Sequence, residues 1–258
     1  MELALQPGML EAFGLHAARA AALVVGAPLL GSGTGFSAYK VALIMGLALL
    51  LHGTHGEPLA HQPGAIEYGV LMLREVVIGL ALAFTLHIVL LAVRVAGEMV
   101  GHEMGFNMAS IVDPATGVNT PIVTQLWEIF FYLGLLAVDG HHLLLRGLDA
   151  SFDRAPVGEV AFAQDMHLLA GDMFVQMFEA GLVFAAPMLV LLFTLSVLMG
   201  VLARLVPQLN VNELGFTARV AVGLVALLAF VPLLAPALSR LYEGLDVGIG
   251  RTLDALGG

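Results

Sequence analysis

Long runs of apolar residues alternate with short polar connections along most of the chain. A run of about 20 apolar residues is long enough to span a lipid bilayer as a helix. Runs that reach or approach this length are Val76–Val93, Ile122–Val138, Ala180–Ala203 and Val220–Leu238. Two further runs, Ala20–Leu30 and Val41–Leu51, are too short to span alone and predict half-helices, hairpin arms or packed segments. The pattern predicts an all-α protein made of hydrophobic helical hairpins.

The connections between these runs contain glycine, proline and polar residues, which is typical of loops. The predicted loops are Gly31–Tyr39, Gly53–Gly64, Met104–Thr120, Asp139–Gly158 and Leu205–Gly215. None has the Ser/Pro-rich composition of an interdomain linker, so we expect a single helical domain over residues 1–258. Glu2 and Glu11 stand where a signal peptide has basic residues, so we expect this segment to be retained.

Prolines lie inside the two most C-terminal apolar runs. Pro187 interrupts one of them, and Pro232 and Pro236 interrupt the other. Proline removes one intrahelical hydrogen bond and bends or breaks a helix. The carbonyl groups that it frees must find protein or water partners at membrane depth, although an ordinary kink also fits the pattern. We therefore expect kinked and broken helices.

The composition exceeds the apolar content of a soluble domain. Hydrophobic residues make up 59% of the 258 residues and charged residues 12%, and the mean hydropathy is +0.95. Lipid or other apolar subunits must cover this surplus, because one soluble core of this size cannot hide it. The net charge of −10 and the scattered basic residues argue against a nucleic-acid surface. The absence of cysteine excludes disulfides and thiol catalysis.

The histidines raise the hypothesis of a metal or catalytic site. His102-Glu103 begins like the zinc-protease pattern His-Glu-x-x-His, but Phe106 occupies its fifth position. His52, His55 and His61 lie in a Gly/Pro-rich loop, where a metal site is the less favoured interpretation. These residues do not form a recognised catalytic or metal-binding motif.

A compact polar group of Asp139, His141 and His142 follows an apolar run. It could bind a metal, but it lacks a second ligand cluster, and hydrogen bonding at a helix terminus or turn is the interpretation that we favour. We accordingly expect no metal, no cofactor and no catalytic residue, and hence not an enzyme.

Charged residues near apolar runs need partners in a membrane protein. Arg74 and Glu75 are predicted to open one long helix. Arg94, Glu98 and His102 are spaced four residues apart, so one helix face could pair them. A proton relay along the same face is the functional alternative.

Three motifs occur in an order and spacing that resemble the FliR family, an export-gate subunit of the bacterial flagellar type III secretion system. The first motif covers Ala96–Phe106 and continues into Val112–Gly117. The second covers Leu136–Arg146 and the third Gly200–Val211. The sequence departs from the family pattern at Asn212, where a bulky apolar residue is usual, and it is rich in methionine in the first motif.

The resemblance implies a function and a set of partners. Such a subunit joins FliP-type and FliQ-type subunits in a helical channel, with an FlhB-type partner at the cytoplasmic side. The cargo would be unfolded flagellar proteins, and the location would be the bacterial inner (cytoplasmic) membrane, in the flagellar basal body. The alternatives are a small secondary transporter with broken transmembrane helices, and an intramembrane enzyme using His102/Glu103 or Asp139/His141.

The resemblance also assigns a plug-like loop to residues 105–121, which closes the channel from inside. Glycine and proline oppose a regular helix there, and flexible apolar side chains could re-pack around varied cargo. The alternative is an ordinary buried core. The predicted plug or gate residues are Met104, Gly105, Phe106, Met108, Ile111, Val112, Asp113, Pro114 and Gly117.

Other residues of the three motifs are expected to support helix ends and contacts between subunits. Their polar groups could bind backbone carbonyls where helical hairpins meet. The predicted assembly or structural residues are Glu98, Asp139, His141, His142, Arg204, Pro207, Gln208 and Asn210.

Overall fold

A computed structural model of the protein describes residues 8–28, 38–59, 61–106, 122–158, 166–206, 208 and 211–256. The described residues form helices and contain no strand, which confirms the all-α prediction. In chain order the helices are α1 (Met9–Gly26), α2 (Ala38–His55), α3 (Ala65–Glu103), α4 (Ile122–Ala137), α5 (Gly140–Arg154), α6 (Met166–Leu205) and α7 (Val211–Leu256).

Two predicted helix limits are wrong. Helix α3 begins at Ala65, so Arg74 and Glu75 lie inside it and do not open it. Residues 20–26 of the first short run lie in α1 and the run Val41–Leu51 lies in α2, and each of these helices has 18 residues, which is long enough to cross a membrane. Both helices extend beyond the uninterrupted apolar run because helix formation tolerates the polar residues at its ends.

Most of the segment predicted as a loop over Asp139–Gly158 is helix α5. Its buried residues Leu144, Leu148, Ser151 and Phe152 recur at helical spacing and form a narrow stripe. The polar residues between them lower the average hydropathy and conceal the stripe from a search for continuous apolar runs.

Among the described residues, five helices are apolar and long enough to cross a membrane, and α4 with α5 would count as a sixth, bent span. Pro187 lies within the continuous helix α6, and Pro232 and Pro236 lie within the continuous helix α7. The most apolar part of α3 is 56% buried within the protein, whereas the values for α6 and α7 are 22% and 17%. Much of the apolar surplus seen in the sequence is therefore exposed on α2, α6 and α7.

The chain divides into two compact units. The first unit comprises Met1–Ile88, Asp139–Met173 and Gly244–Gly258, and the second comprises Val89–Val138 and Phe174–Glu243. The prediction of one domain over the whole chain stays a prediction.

The first unit has a buried network of charges at its centre. Arg19 of α1 is fully buried, and its Nε donates a hydrogen bond to Oε2 of Glu75 in α3 over 2.6 Å. Its other nitrogens donate to Oγ of Ser151 (3.0 Å) and to the carbonyl oxygen of Ala155 (2.8 Å). One guanidinium group therefore connects α1, α3 and α5.

The same network includes a second cation and an aromatic ring. Arg74 donates to Oε1 of Glu75 over 3.1 Å and to the carbonyl oxygen of Pro156 over 3.0 Å. The Arg19 guanidinium carbon lies 4.0 Å from the centre of the Phe152 ring, in cation–π contact. Glu75 is fully buried and accepts hydrogen bonds from both arginines, so its charge is compensated twice.

We predict that the free energy of unfolding falls more in Glu75→Leu than in Arg19→Met. The first change leaves two buried cations without their carboxylate, and breaking a buried pair costs about 3–5 kcal/mol. In Arg19→Met, Arg74 still compensates the charge of Glu75. The free energy of unfolding of the double variant Arg19→Met/Glu75→Leu should be closer to the wild-type value than that of Glu75→Leu alone. Thermal unfolding in detergent, followed by circular dichroism, measures this order.

The control for that series is Arg154→Met. Arg154 binds Asp254 over 2.6 Å, but both side chains are largely exposed, and exposed pairs contribute little. If Arg154→Met and Arg19→Met lowered the free energy of unfolding equally, the assigned role of the buried network would be contradicted.

Candidate functional site

The predicted plug lies between α3 and α4, and only its first residues are described. Met104, Gly105 and Phe106 follow the last residue of α3. The remaining predicted plug residues lie outside the described residues: Met108, Ile111, Val112, Asp113, Pro114 and Gly117. The structure therefore describes how the two ends of this segment are held. We call residues 107–121 the central segment.

The N-terminal end of the central segment leaves α3 through a Schellman motif, a common helix-ending arrangement. The N–H of Phe106 donates to the carbonyl oxygen of Gly101 over 3.1 Å, and that of Gly105 donates to the carbonyl oxygen of His102 over 2.9 Å. Gly105 has a φ angle of +86°, which glycine adopts without steric cost. This motif fixes the point where the helix ends and the chain turns away.

Packing against α7 holds the same end. Met104 is fully buried, and its side chain lies against Gly223, where a Cβ atom would collide with it. A Cβ atom at Gly105 would lie 3.1 Å from the ring of Phe216. Met104 is thus part of a packed contact within the second unit.

The C-terminal end of the central segment enters α4, which is fixed in the second unit by a buried stripe. Val123, Trp127, Phe131 and Leu135 recur every four residues, and each is at least 99% buried. A Cβ atom at Gly97 of α3 would lie 2.6 Å from the Thr124 Cα atom, so the two helices approach closely there.

Aromatic rings surround this stripe. Trp127 packs edge-on against Phe184 of α6, with ring centres 5.0 Å apart, and lies 6.2 Å from Phe230 of α7. The hydroxyl of Tyr242 donates to the carbonyl oxygen of Phe131 over 2.8 Å. Burial raises the pKa of Tyr242 to about 12, which further favours the neutral hydroxyl that donates this hydrogen bond.

An ion pair also joins α3 to α4 in the second unit. Nε of Arg94 donates to Oε1 of Glu128 over 2.6 Å, and Nη2 lies 3.4 Å from Oε2. The predicted pairing of Arg94 with Glu98 is therefore wrong, because Arg94 reaches a carboxylate on the adjacent helix. Glu98 is exposed.

An apolar cavity of about 580 Å³ lies in the second unit, between proline-containing stretches of α6 and α7. Phe184, Pro187 and Phe230 are among its apolar wall residues. Glu179 and Arg240 also line it, and both are exposed. No sequence pattern indicated this cavity, because its walls come from positions that are distant along the chain.

The polar residues of the second and third motifs lie at helix ends. Asp139, His141 and His142 form the turn that begins α5. Arg204 is exposed in the last turn of α6, and Gln208 is exposed beyond it. Pro207 and Asn210 lie outside the described residues.

Sequence reasoning missed the buried pairing of Arg19 with Glu75 and the anchoring role of Trp127 and Tyr242. Two features of the sequence could have pointed to these residues. Arg19 lies in a helix that is otherwise largely apolar, which requires a partner. Trp127 is the single tryptophan of the chain.

Comparison with known proteins places the chain in a family. The family model described as "Bacterial export proteins, family 1" matches residues 10–245. The chain is 34% identical over 173 residues to the flagellar biosynthetic protein FliR of Escherichia coli (strain K12), covering 67% of this chain and 66% of that protein.

Two further relatives extend this result. The flagellar biosynthetic protein FliR of Bacillus subtilis (strain 168) is 29% identical over 257 residues, which is 97% of each chain. The surface presentation of antigens protein SpaR of Shigella flexneri is 25% identical over 149 residues, covering 58% of this chain and 57% of that protein. The resemblance predicted from the three motifs is confirmed, and the chain belongs to the bacterial export proteins, family 1.

Proposed function

We propose that this chain is a membrane subunit of the flagellar type III protein-export channel. It assembles with FliP-type and FliQ-type subunits to form and gate a pore for unfolded flagellar proteins, with an FlhB-type subunit at the cytoplasmic side. The location is the bacterial inner membrane, in the flagellar basal body. Similarity to FliR proteins over nearly the whole chain supports the flagellar assignment.

The low burial of α6 and α7 is the observation that carries the proposal of an assembly. Large apolar side chains such as Phe174, Val183, Phe193 and Leu228 are each more than half exposed. Exposed apolar side chains of this size and number mark contact with lipid or with other subunits. A channel built from several small hydrophobic subunits would cover part of it.

The attachments on either side of the central segment support a gating role. One end is fixed by the Schellman motif and by Met104 against Gly223, and the other by the buried stripe of α4. A segment held at both ends on packed helices can change conformation between them while its attachment points stay fixed. Such a segment can close a pore and then admit a chain without dissociation of the subunit.

The function is non-enzymatic in this proposal. The relatives are named flagellar biosynthetic protein FliR and surface presentation of antigens protein SpaR, and those names describe no reaction. Arg94 and Glu128 bind each other, and His102 and Glu103 lack the rest of the zinc-protease pattern. Membership in an export family also favours the channel subunit over a small secondary transporter.

Co-purification tests the assembly. The chain is tagged, expressed with and without FliP-type and FliQ-type subunits, extracted in mild detergent, and its mass and stoichiometry are determined. We expect a discrete hetero-oligomer that forms only when those partners are present. A stable monomer or homodimer that binds neither partner would contradict the proposal and favour the alternative of a small secondary transporter.

We further predict that Gly105→Ala lowers the midpoint of thermal unfolding of the second unit. Alanine in the left-handed conformation costs about 1–2 kcal/mol, and its Cβ atom would press against Phe216. For a protein of this size each kcal/mol corresponds to about 2–4 °C. The fluorescence of the single Trp127, which is buried in this unit, provides the measurement.

Gly200→Ala is the matched control for that substitution. Gly200 lies inside α6, and a Cβ atom there meets no atom within 4 Å. Alanine favours helix over glycine, so the unfolding midpoint should stay or rise. A loss as large as that of Gly105→Ala would show that the left-handed turn is not the cause.

A further inference from the structure

The turn between α4 and α5 brings three metal-binding side chains together. Asp139, His141 and His142 each offer one ligand atom, and these atoms lie within 4.8 Å of one another. Within the described part of the chain, no other three His, Asp or Glu side chains converge in this way. Although the sequence led us to expect no metal, we propose from this geometry that the turn is a binding site for a divalent transition-metal ion such as zinc.

The backbone conformation at Asp139 makes its carboxylate available. Asp139 is at the position that precedes α5, with φ +55° and ψ +28°, the left-handed region. Aspartate at this position normally caps the helix by accepting a backbone hydrogen bond. Here no side-chain cap bond forms, and the backbone carbonyl of Asp139 accepts the hydrogen bond from the His142 N–H over 2.9 Å.

One imidazole nitrogen in the cluster has an unmet hydrogen-bonding requirement. Nδ1 of His141 is buried and has no hydrogen-bond partner among the described residues. A buried polar atom without a partner is unfavourable, and metal coordination is one way to satisfy an imidazole nitrogen. The rings of His141 and His142 lie 4.1 Å apart at their centres, and Nδ1 of His142 lies 3.4 Å from the Asp139 carboxylate.

The chemistry of the donor set favours a divalent transition metal over magnesium or calcium. Two imidazole nitrogens and one carboxylate oxygen suit zinc, which commonly takes three protein ligands and leaves a further position for water. Magnesium and calcium prefer oxygen donors alone and fit this set poorly. The Asp139 and His142 side chains are 74% and 53% exposed, so an ion can enter from solvent.

The carboxylate has a further electrostatic role. The N-terminus of a helix carries a partial positive charge that disfavours a cation. Asp139 offsets this charge and supplies a ligand at the same time. Its removal should therefore weaken metal binding even when the backbone of the turn is retained. The bound ion would connect Asp139 to the first turn of α5 and stabilise that turn.

Metal titration of the full chain in detergent tests this site. The protein carries a tag without histidine, is stripped with a chelator, and is titrated with zinc by calorimetry and with cobalt by absorbance. We expect one zinc ion per chain with a dissociation constant in the micromolar range or tighter. Zinc should also raise the thermal unfolding midpoint, because it binds the folded state.

Three variants separate this site from other histidines. Asp139→Asn keeps a residue that tolerates the left-handed conformation but removes the charge. We expect Asp139→Asn and His142→Ala to weaken zinc binding by at least about tenfold, since even residues that only orient metal ligands contribute about 10–100-fold. The control His61→Ala disrupts an exposed pair with Glu67 that has no third ligand, and binding should be retained.

Two outcomes would overturn the site. The first is wild-type protein that binds no stoichiometric zinc in the micromolar range while its circular dichroism shows folded helices. The second is equal zinc binding by wild type, Asp139→Asn and His142→Ala, which would place the ion elsewhere. Both outcomes leave the export function untouched, because the titration does not depend on secretion.

Discussion

A charged group inside an apolar helical protein must find its partner within the protein, and this constraint organises the first unit. Arg19 is fully buried on α1, where solvent cannot compensate its charge. Its bonds to Glu75, Ser151 and the Ala155 carbonyl therefore decide which faces of α3 and α5 lie against α1. Apolar packing alone tolerates rotation of one smooth helix against another, whereas these directional bonds do not. The network contributes specificity of arrangement as well as stability.

The second unit satisfies the same constraint with fewer charges and more aromatic packing. Arg94 and Glu128 form its ion pair between α3 and α4. Trp127, Phe184 and Phe230 fill the space that α4 shares with α6 and α7. These contacts hold in place the helices on either side of the central segment. If the central segment gates a channel, the helices on either side of it must stay fixed while the segment itself changes conformation.

The sequence was sufficient for the fold class, because continuous apolar runs report membrane-type helices directly. It was insufficient for α5, since Leu144 and Leu148 form a narrow stripe among polar residues. It also indicated that Arg94 needs a partner, but local spacing favoured Glu98 over the actual partner Glu128. A partner on another helix depends on the packing of helices, which one sequence does not reveal. For the same reason the link between Arg19 and Glu75, 56 residues apart, could not be predicted.

The role of the central segment as the gate is the claim on which the proposed function most depends. The chain has no cysteine, so one introduced cysteine can carry a unique cross-linker. The measurement compares Ile111→Cys, in the central segment, with Ile66→Cys, an 87% exposed position in the first unit, while an exported protein is stalled in the channel. The account predicts cross-links from position 111 to the stalled chain and none from position 66. An exporting complex in which position 111 never reaches the stalled chain would contradict it.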